Sequence, residues 1–313
     1  MTWLVTGGAG YIGSHLVAEL QTHGERIIVL DDLSRGKRER LPEDTLFVKG
    51  DINDSIVLDK VFSENKISGV IHLAAKKSVS ESFTNANEYH KVNVEGTKNV
   101  IEFCKKYGVT KLIFSSTAAV YGSEMPEGGL LEVSPTNPVS PYGQGKLEAE
   151  FQVKNFGYEP TNSYVIFRFF NVIGSVSPFL AEIDGLNIWP AIQKSLQTAS
   201  TFTIFGSRYP TRDGTCIRDY IHVQDIVKAH VLAINLMSIN SFTQETINLG
   251  SGRGYTVLEV LRAFEENLGE KLHYEFGDPR EGDLPEVYCN ANLARSILSW
   301  KANRDPFAVT QSL

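Results

Sequence analysis

Four glycines within the first thirteen residues constrain this chain more than any other feature. Gly7, Gly8, Gly10 and Gly13 follow directly on a short apolar run, Trp3 to Thr6, and open a segment of helical character, so the stretch reads as GxxGxxG and, from Gly8, as GxGxxG. Such a turn needs positions without a Cβ so that backbone N–H groups can approach a pyrophosphate, and the N-terminus of the following helix adds favourable partial positive charge. Strand, glycine turn and helix in that order are the opening of a dinucleotide-binding βαβ unit.

The chain then repeats the alternation. Short β-branched or aliphatic runs recur at Ile27 to Leu30, Leu46 to Val48, Gly69 to Leu73, Lys111 to Ser115 and Tyr164 to Phe169, with helices expected from about Gly13 to His23, Asn87 to Tyr107 and Pro141 to Phe156. This pattern predicts an α/β fold, a doubly wound parallel sheet of Rossmann type over residues 1–170. After Asn171 the pattern loosens, with loop-rich stretches around Ser175 to Asn187 and Gly206 to Arg218. A second, smaller substrate-binding domain is expected over 171–313, part of which, about 219–250, returns to the first sheet through the strand-like run Thr246 to Leu249.

A chain of 313 residues with 42% hydrophobic content can build such a core. Its net charge of −7 argues against nucleic acid or an anionic membrane surface as a partner, so an anionic ligand must be held by a few placed cations and backbone amides. Cys104, Cys216 and Cys289 are scattered without CxxC spacing, and the histidines have no metal-ligand spacing; neither a metal site nor a disulfide framework is expected. The chain opens without a basic segment leading into a long apolar run, and no stretch of about 20 apolar residues follows, so the expectation is a cytoplasmic protein with no membrane span.

Asp31 ends the second strand, where a carboxylate accepts from both hydroxyls of an adenosine ribose and repels a 2′-phosphate. That favours NAD over NADP, although Arg35 and Lys37 nearby leave the second open. Asp51 after the third strand and Leu73, Ala74 and Ala75 after the fourth lie on the same rim and are candidate contacts for adenine and ribose. Ser115, Ser116 and Thr117 end a central strand on that rim. Ser140-Pro141-Tyr142-Gly143-Gln144-Gly145-Lys146 reads as a helix start with Ser140 as N-cap. Four residues apart, Tyr142 and Lys146 share a helix face. A tyrosine of ordinary pKa, about 10, is phenolate in only about a thousandth of molecules at neutral pH. A nearby ammonium lowers that value by roughly 1–3 units, and a helix N-terminus and an oxidised nicotinamide act in the same sense. Tyr142 is therefore expected to be a base of depressed pKa, poised to remove a hydroxyl proton. The spacing alone also arises from an exposed tyrosine beside a solvated lysine; its place after the glycine motif selects the catalytic reading.

The stretches VTGGAGYIGSH, SSTAAVYG, PYGQGK, RFFNVIG, DGTCIRDYIHV and REGDLPE follow one another in the order and approximate spacing found in UDP-glucose 4-epimerases. Over nearly its whole length the chain resembles that family, a branch of the extended short-chain dehydrogenase/reductase superfamily; the later stretches are the more specific. The resemblance implies a resident NAD, a UDP-sugar substrate and inversion at carbon 4. The tyrosine removes the 4′-hydroxyl proton as hydride passes to NAD, a 4-keto sugar turns over in the pocket, and hydride returns to its other face. Carried onto this chain, the base is Tyr142, Lys146 lowers its pKa and binds the nicotinamide ribose, and Thr117 hydrogen-bonds the reacting oxygen. For the cofactor the resemblance adds Tyr11, Ile12, Ile52, Lys77, Asn93, Ser115 and Phe169 to Gly7, Gly10, Gly13, Asp31, Asp51 and residues 73–75. For the nucleotide sugar it implies Asn171, Asn187, Ile188, Thr203, Phe205, Arg218, Arg280, Asp283 and Val287. Two arginines suit a diphosphate, and Asp283 suits the uridine ribose hydroxyls. A homodimer built on the helices around Asn87 to Tyr107 and Pro141 to Phe156 is implied by analogy.

Two positions depart from the family. Many members have tyrosine at Phe169, and some have tyrosine at Val287, where a valine leaves room for a 2-acetamido group. UDP-N-acetylglucosamine is therefore expected as a substrate beside UDP-glucose. Members also usually continue through a further helix where this chain ends at Leu313. Two other functions compete. A sugar-nucleotide 4,6-dehydratase shares fold, cofactor and catalytic pair but needs a further acid and base, usually Asp-Glu after the central-strand serine or threonine. This chain has Ala118-Ala119 there. A non-catalytic NAD-sensing regulator typically loses the tyrosine or the lysine, and both are present.

Overall fold

The computed structural model describes residues 1–182, 187–240 and 242–308; positions 183–186 of the expected loop and the terminal Gln311 to Leu313 lie outside them. Thirteen strands and ten α-helices are described. The strands are β1 (Thr2–Thr6), β2 (Arg26–Asp31), β3 (Leu46–Lys49), β4 (Gly69–His72), β5 (Lys111–Thr117), β6 (Ser163–Phe169), β7 (Asn171–Ile173), β8 (Phe202–Phe205), β9 (Ile217–His222), β10 (Gln244–Leu249), β11 (Gly254–Thr256), β12 (Tyr274–Gly277) and β13 (Glu286–Val287). The helices are α1 (Tyr11–Thr22), α2 (Ser55–Glu64), α3 (Val79–Thr84), α4 (Ala86–His90), α5 (Gly96–Tyr107), α6 (Pro141–Phe156), α7 (Ile188–Thr198), α8 (Val223–Ile239), α9 (Val257–Leu268) and α10 (Asn292–Leu298).

Seven strands form one sheet in the order β10-β6-β5-β4-β1-β2-β3, every pair parallel. The expected doubly wound α/β sheet is present. Its strands read as unbroken apolar runs because helices cover both faces, and successive residues feed two cores. Trp3, Val5, Ile27, Val29, Val165 and Phe167 point to the side of α1, α8 and α10. Leu4, Ile28, Leu30, Phe114 and Ile166 point to the side of α2, α5 and α6. The order reverses between β1 and β4, and that switch point opens the crevice where doubly wound sheets take ligands.

The expected helix from Asn87 to Tyr107 is interrupted. Between α4 and α5, Lys91–Glu95 form a π-helical turn. From it the Asn93 amide accepts from the Lys76 N–H and donates to the Lys76 carbonyl, both at 2.9 Å. Helix α2, which the hydrophobic pattern did not signal, starts at a strong cap: the Asp54 carboxylate accepts from the amides of Ile56 and Val57.

Beyond β6, β10 hydrogen-bonds alongside β6 from Gln244 opposite Tyr164 to Leu249 opposite Phe169, and so forms an edge of the large sheet. The intervening β9 belongs elsewhere: with β7, β11 and β13 it makes a second sheet, and β8 with β12 a third. Ile173, Ile192, Phe202, Ile204, Tyr220, Phe264 and Phe307 close a separate core there.

Gly69 and Trp3, paired across β4 and β1, make a close fit in the first core. A Cβ on Gly69 would lie 2.3 Å from the fully buried Trp3 ring. Gly69→Ala should lower stability by about 1–3 kcal/mol through overpacking, read as an earlier urea midpoint at unchanged slope.

Candidate active site

Backbone contact shapes the cleft at the switch point. Gly7 has φ +71°, and a Cβ there would lie 2.6 Å from the Ala74 nitrogen; one on Gly13 would lie 2.3 Å from the Gly7 carbonyl oxygen. With no side chain in the way, the turn lies directly on the end of β4 and α1 begins at the sheet's rim. Gly10 caps α1 without a side chain, so amides of the first turn are open to an anion. Asp31 is buried at the end of β2, its Oδ2 accepting from the Ala9 amide at 3.0 Å and its Oδ1 from the Leu33 amide at 2.9 Å. Burial raises its carboxyl pKa while the two amides work against that.

The cleft has a volume of about 410 Å³. Gly7, Gly10, Tyr11, Ile12 and Gly13 line it from the turn, Asp31, Asp51 and Ile52 from one side, and Leu73, Ala74, Ala75 and Lys77 from the end of β4. Ser115, Tyr142, Lys146 and Phe169 complete the wall. Of the expected cofactor contacts, Asn93 alone is not on this wall; it is buried behind it and fixes the Lys76 backbone. A cradle kept open by missing Cβ atoms, a helix N-terminus beside it and a carboxylate one strand away fit a dinucleotide.

Sequence reasoning missed Arg40 and Glu182 at this cleft, though it had Tyr11. Arg40 donates to the Ala181 carbonyl at 2.6 Å and Tyr11 to the Gly174 carbonyl at 2.5 Å, so both tie the segment after β7 to the cleft's edge. Glu182, at the end of that segment, pairs with Lys77, and its Oε2 accepts from Asn187 at 2.5 Å. A lone acid in a loop carries no local signal; only the fold brings it to the cleft.

Ser140 caps α6 by accepting from the Gly143 amide at 3.1 Å, with Pro141 opening the helix. Tyr142 and Lys146 are both buried on its inner face. The Lys146 ammonium donates to the Ser115 carbonyl at 2.8 Å and lies 4.8 Å from the Phe114 ring centroid. Thr117 lies close enough to Tyr142 to pull its phenol down, and its hydroxyl accepts from the Ala119 amide at 3.1 Å. Here one expectation is corrected. Burial pushes the Tyr142 phenol up to about 12, with Thr117 pulling the other way. Lys146 spends its donor on the Ser115 carbonyl, and burial draws the amine down to about 7 against the pull of Glu150. In this state the pair does not supply a phenol of depressed pKa, because desolvation of the phenol is the largest cause acting on it.

The expected nucleotide-sugar contacts gather on the smaller sheets. Asp283 bridges the two arginines, accepting from Arg280 Nε at 2.9 Å and from Arg218 Nη2 at 3.4 Å. Arg280 stacks over Phe205 at 5.0 Å from the ring centroid. Thr203 and Phe205 sit two apart on β8, Asn171 starts β7 opposite Tyr220, and Ile188 opens α7 against the third core. Val287 lies beside Arg218 in the β13–β9 pairing and packs with Val120, Tyr121, Leu130 and Phe170. Among the described residues there is no His, Cys, Asp and Glu grouping able to hold a metal, and no helix long and apolar enough to cross a membrane.

The profile of the NAD dependent epimerase/dehydratase family matches residues 3–250. A UDP-glucose 4-epimerase of Bacillus subtilis is 39% identical over 318 residues, covering 97% of this chain and 93% of that one. The crystal structure of UDP-glucose 4-epimerase from Bifidobacterium longum, in complex with NAD+ and UDP, superposes with a TM-score of 0.92 at 34% identity, over 99% of this chain and 96% of that chain. The UDP-Glc/GlcNAc 4-epimerase from Campylobacter jejuni superposes with a TM-score of 0.84 at 34% identity, over 98% of this chain and 95% of that chain.

Burial of Lys146 has a consequence for stability. Its amine falls to about 7 in the folded chain, whereas in the unfolded chain it keeps the ordinary lysine value of about 10.5. Across that window the unfolded chain binds the extra proton, so stability rises with pH; the penalty of burying the charge is fully present below about 7. In nucleotide-free protein, the urea midpoint of the wild type relative to Lys146→Met should therefore climb between pH 7 and 10. A flat difference would mean that the amine keeps its ordinary affinity.

Proposed function

The chain belongs to the NAD dependent epimerase/dehydratase family, and on that premise we propose that it inverts carbon 4 of the sugar of a UDP-sugar, interconverting UDP-glucose and UDP-galactose with resident NAD. The observation that carries this reading is the meeting of Tyr142 and Lys146 on one wall of a glycine-floored cleft, with Thr117 behind that wall near Tyr142 and alanines at 118 and 119. A dehydratase would need a second acid and base where those alanines stand, and a regulator without chemistry would have no use for a buried tyrosine beside a buried lysine.

In this reading the turn of Gly7, Gly10 and Gly13 and the start of α1 hold the cofactor's pyrophosphate, Asp31 its adenosine ribose and Lys146 its nicotinamide ribose. NAD held there would supply the acceptor, and then the donor, of the hydride of carbon 4. Tyr142 Oη receives the 4′-hydroxyl proton and later returns it, while Thr117 holds the sugar oxygen in line by a hydrogen bond. The phenol, at about 12 in the protein alone, becomes a usable base only as positive charge collects around it, which ties proton removal to an occupied cleft. Arg218 and Arg280 pair with the diphosphate and Asp283 accepts from the uridine ribose; the two arginines are already drawn together on Asp283.

Substrate breadth follows from Val287. A small side chain beside Tyr121 and Leu130 leaves room for a 2-acetamido group, and we read the enzyme as accepting UDP-N-acetylglucosamine also. A homodimer through α5 and α6 is supported by Phe151, more than half exposed on α6. A reducing cytoplasm is supported by three buried free thiols.

Incubation with UDP-galactose, followed by chromatography of the epimers, should give UDP-glucose of unchanged mass; a product lighter by one water would point to dehydration. Tyr142→Phe should lower kcat by about 10²–10⁴-fold at near-unchanged KM. Val287→Tyr should abolish turnover of the acetamido sugar and spare UDP-glucose, and equal loss on both would defeat the specificity reading.

A further inference from the structure

Behind Lys146 runs a chain of buried polar groups that the reaction above leaves unused. Glu150, one turn further along α6, is 0% exposed. Its Oε1 accepts from Ser116 Oγ at 2.6 Å and from Arg168 Nε at 2.8 Å, and its Oε2 from Arg168 Nη2 at 2.7 Å. Arg168, on β6, donates through Nη1 to Tyr121 Oη at 2.9 Å and to the Glu132 carbonyl at 3.0 Å. Tyr121 in turn donates to Asn248 Oδ1 on β10 at 2.6 Å.

Three consecutive residues at the end of β5 thus meet three residues spaced by four along α6. Thr117 faces Tyr142, the Ser115 carbonyl receives Lys146, and Ser116 donates to Glu150. Two of these pairings carry the chemistry and the third is their extension. We infer that Glu150 is a positioning residue for the epimerisation proposed above: by tethering Ser116 and Arg168 it holds the strand end in register with α6, so that Thr117, Tyr142 and Lys146 stay aligned, and it sets a carboxylate one turn of α6 from the Lys146 amine.

A fold alone does not need this arrangement. Neutral side chains of similar volume usually serve as well as a buried ion pair, and removing one partner is what harms. The charge has a use beside Lys146, whose amine burial draws down to about 7 while Glu150 pulls it up. The other titratable and charged groups on this side do not replace it. Tyr142 is a neutral phenol, and His72 on β4, hydrogen-bonded to Thr6 and Thr97, is neutral at about 3. Arg168 is spent on Glu150 itself, and Lys154 lies 3.8 Å from Glu150 Oε2 on the outer side.

The test is the pH dependence of kcat and KM for UDP-galactose with holoenzyme, in wild type, Glu150→Gln, Glu150→Gln/Arg168→Met and Ser116→Ala. The double variant removes both charges, so it keeps the test open where the single variant strands Arg168 and unfolds. Both charge-removing variants should lose about tenfold in kcat with KM within about twofold, and their alkaline limb should move down by about one pH unit as Lys146 loses its proton earlier. Ser116→Ala keeps the charge and drops the tether, so kcat should fall about three- to tenfold with the limb in place. An unmoved limb in the folded charge-removing variants, or an unchanged kcat in Ser116→Ala, overturns the inference. A wild type unable to turn over UDP-galactose would instead overturn the function it rests on.

Discussion

Two backbones in direct contact set the geometry on which the rest of this molecule depends. The turn after β1 rests on the end of β4, with Gly7 against Ala74 and Gly13 against the Gly7 carbonyl, at separations that no side chain could share. Any Cβ would push α1 away from the rim, and with it the open amides and the approach to Asp31. Everything at the cleft is measured from that contact: β5 lies next to β4, and α6 lies over β5.

Around this floor the protein buries groups that water would otherwise hold. A lysine, a tyrosine, a histidine and a glutamate–arginine pair are buried here, and the lysine, the histidine and the ion pair are each satisfied by a specific partner rather than by solvent. Burial has two opposite effects. It moves the Tyr142 phenol away from ionisation and the Lys146 amine toward neutrality, yet it also strengthens every hydrogen bond and charge that remains. A site of this kind is quiet until a ligand brings charge into it.

The smaller sheets are tied to the same centre by backbone as well as by side chains. Leu130 and Cys289 form an isolated bridge, with the Leu130 amide donating to the Tyr288 carbonyl and the Asn290 amide to the Leu130 carbonyl. That zipper joins the segment after Thr117 to the segment carrying Val287. Asn248, donating to the Leu130 carbonyl, links both segments to the large sheet.

Much of this was legible in the residues. Apolar runs covered on both faces, the glycine turn and the Ser140-Pro141 helix start are local signals, set by sterics and by hydrogen bonds between neighbours, and they determined the parallel sheet, the cleft's floor and the shared face of Tyr142 and Lys146. The π-helical turn at Lys91–Glu95, Glu182 at the cleft's edge and the pairing of Ser116 with Glu150 were not legible, because each depends on a residue distant in sequence. The pKa of Tyr142 is the sharpest case: spacing put a lysine beside it, but only the tertiary structure decided how far both were desolvated and that the ammonium turned to a carbonyl. Periodicity and turn chemistry act over a few residues and can be read along a chain; dielectric and the choice of hydrogen-bond partner belong to the packed interior and exist only once it has formed.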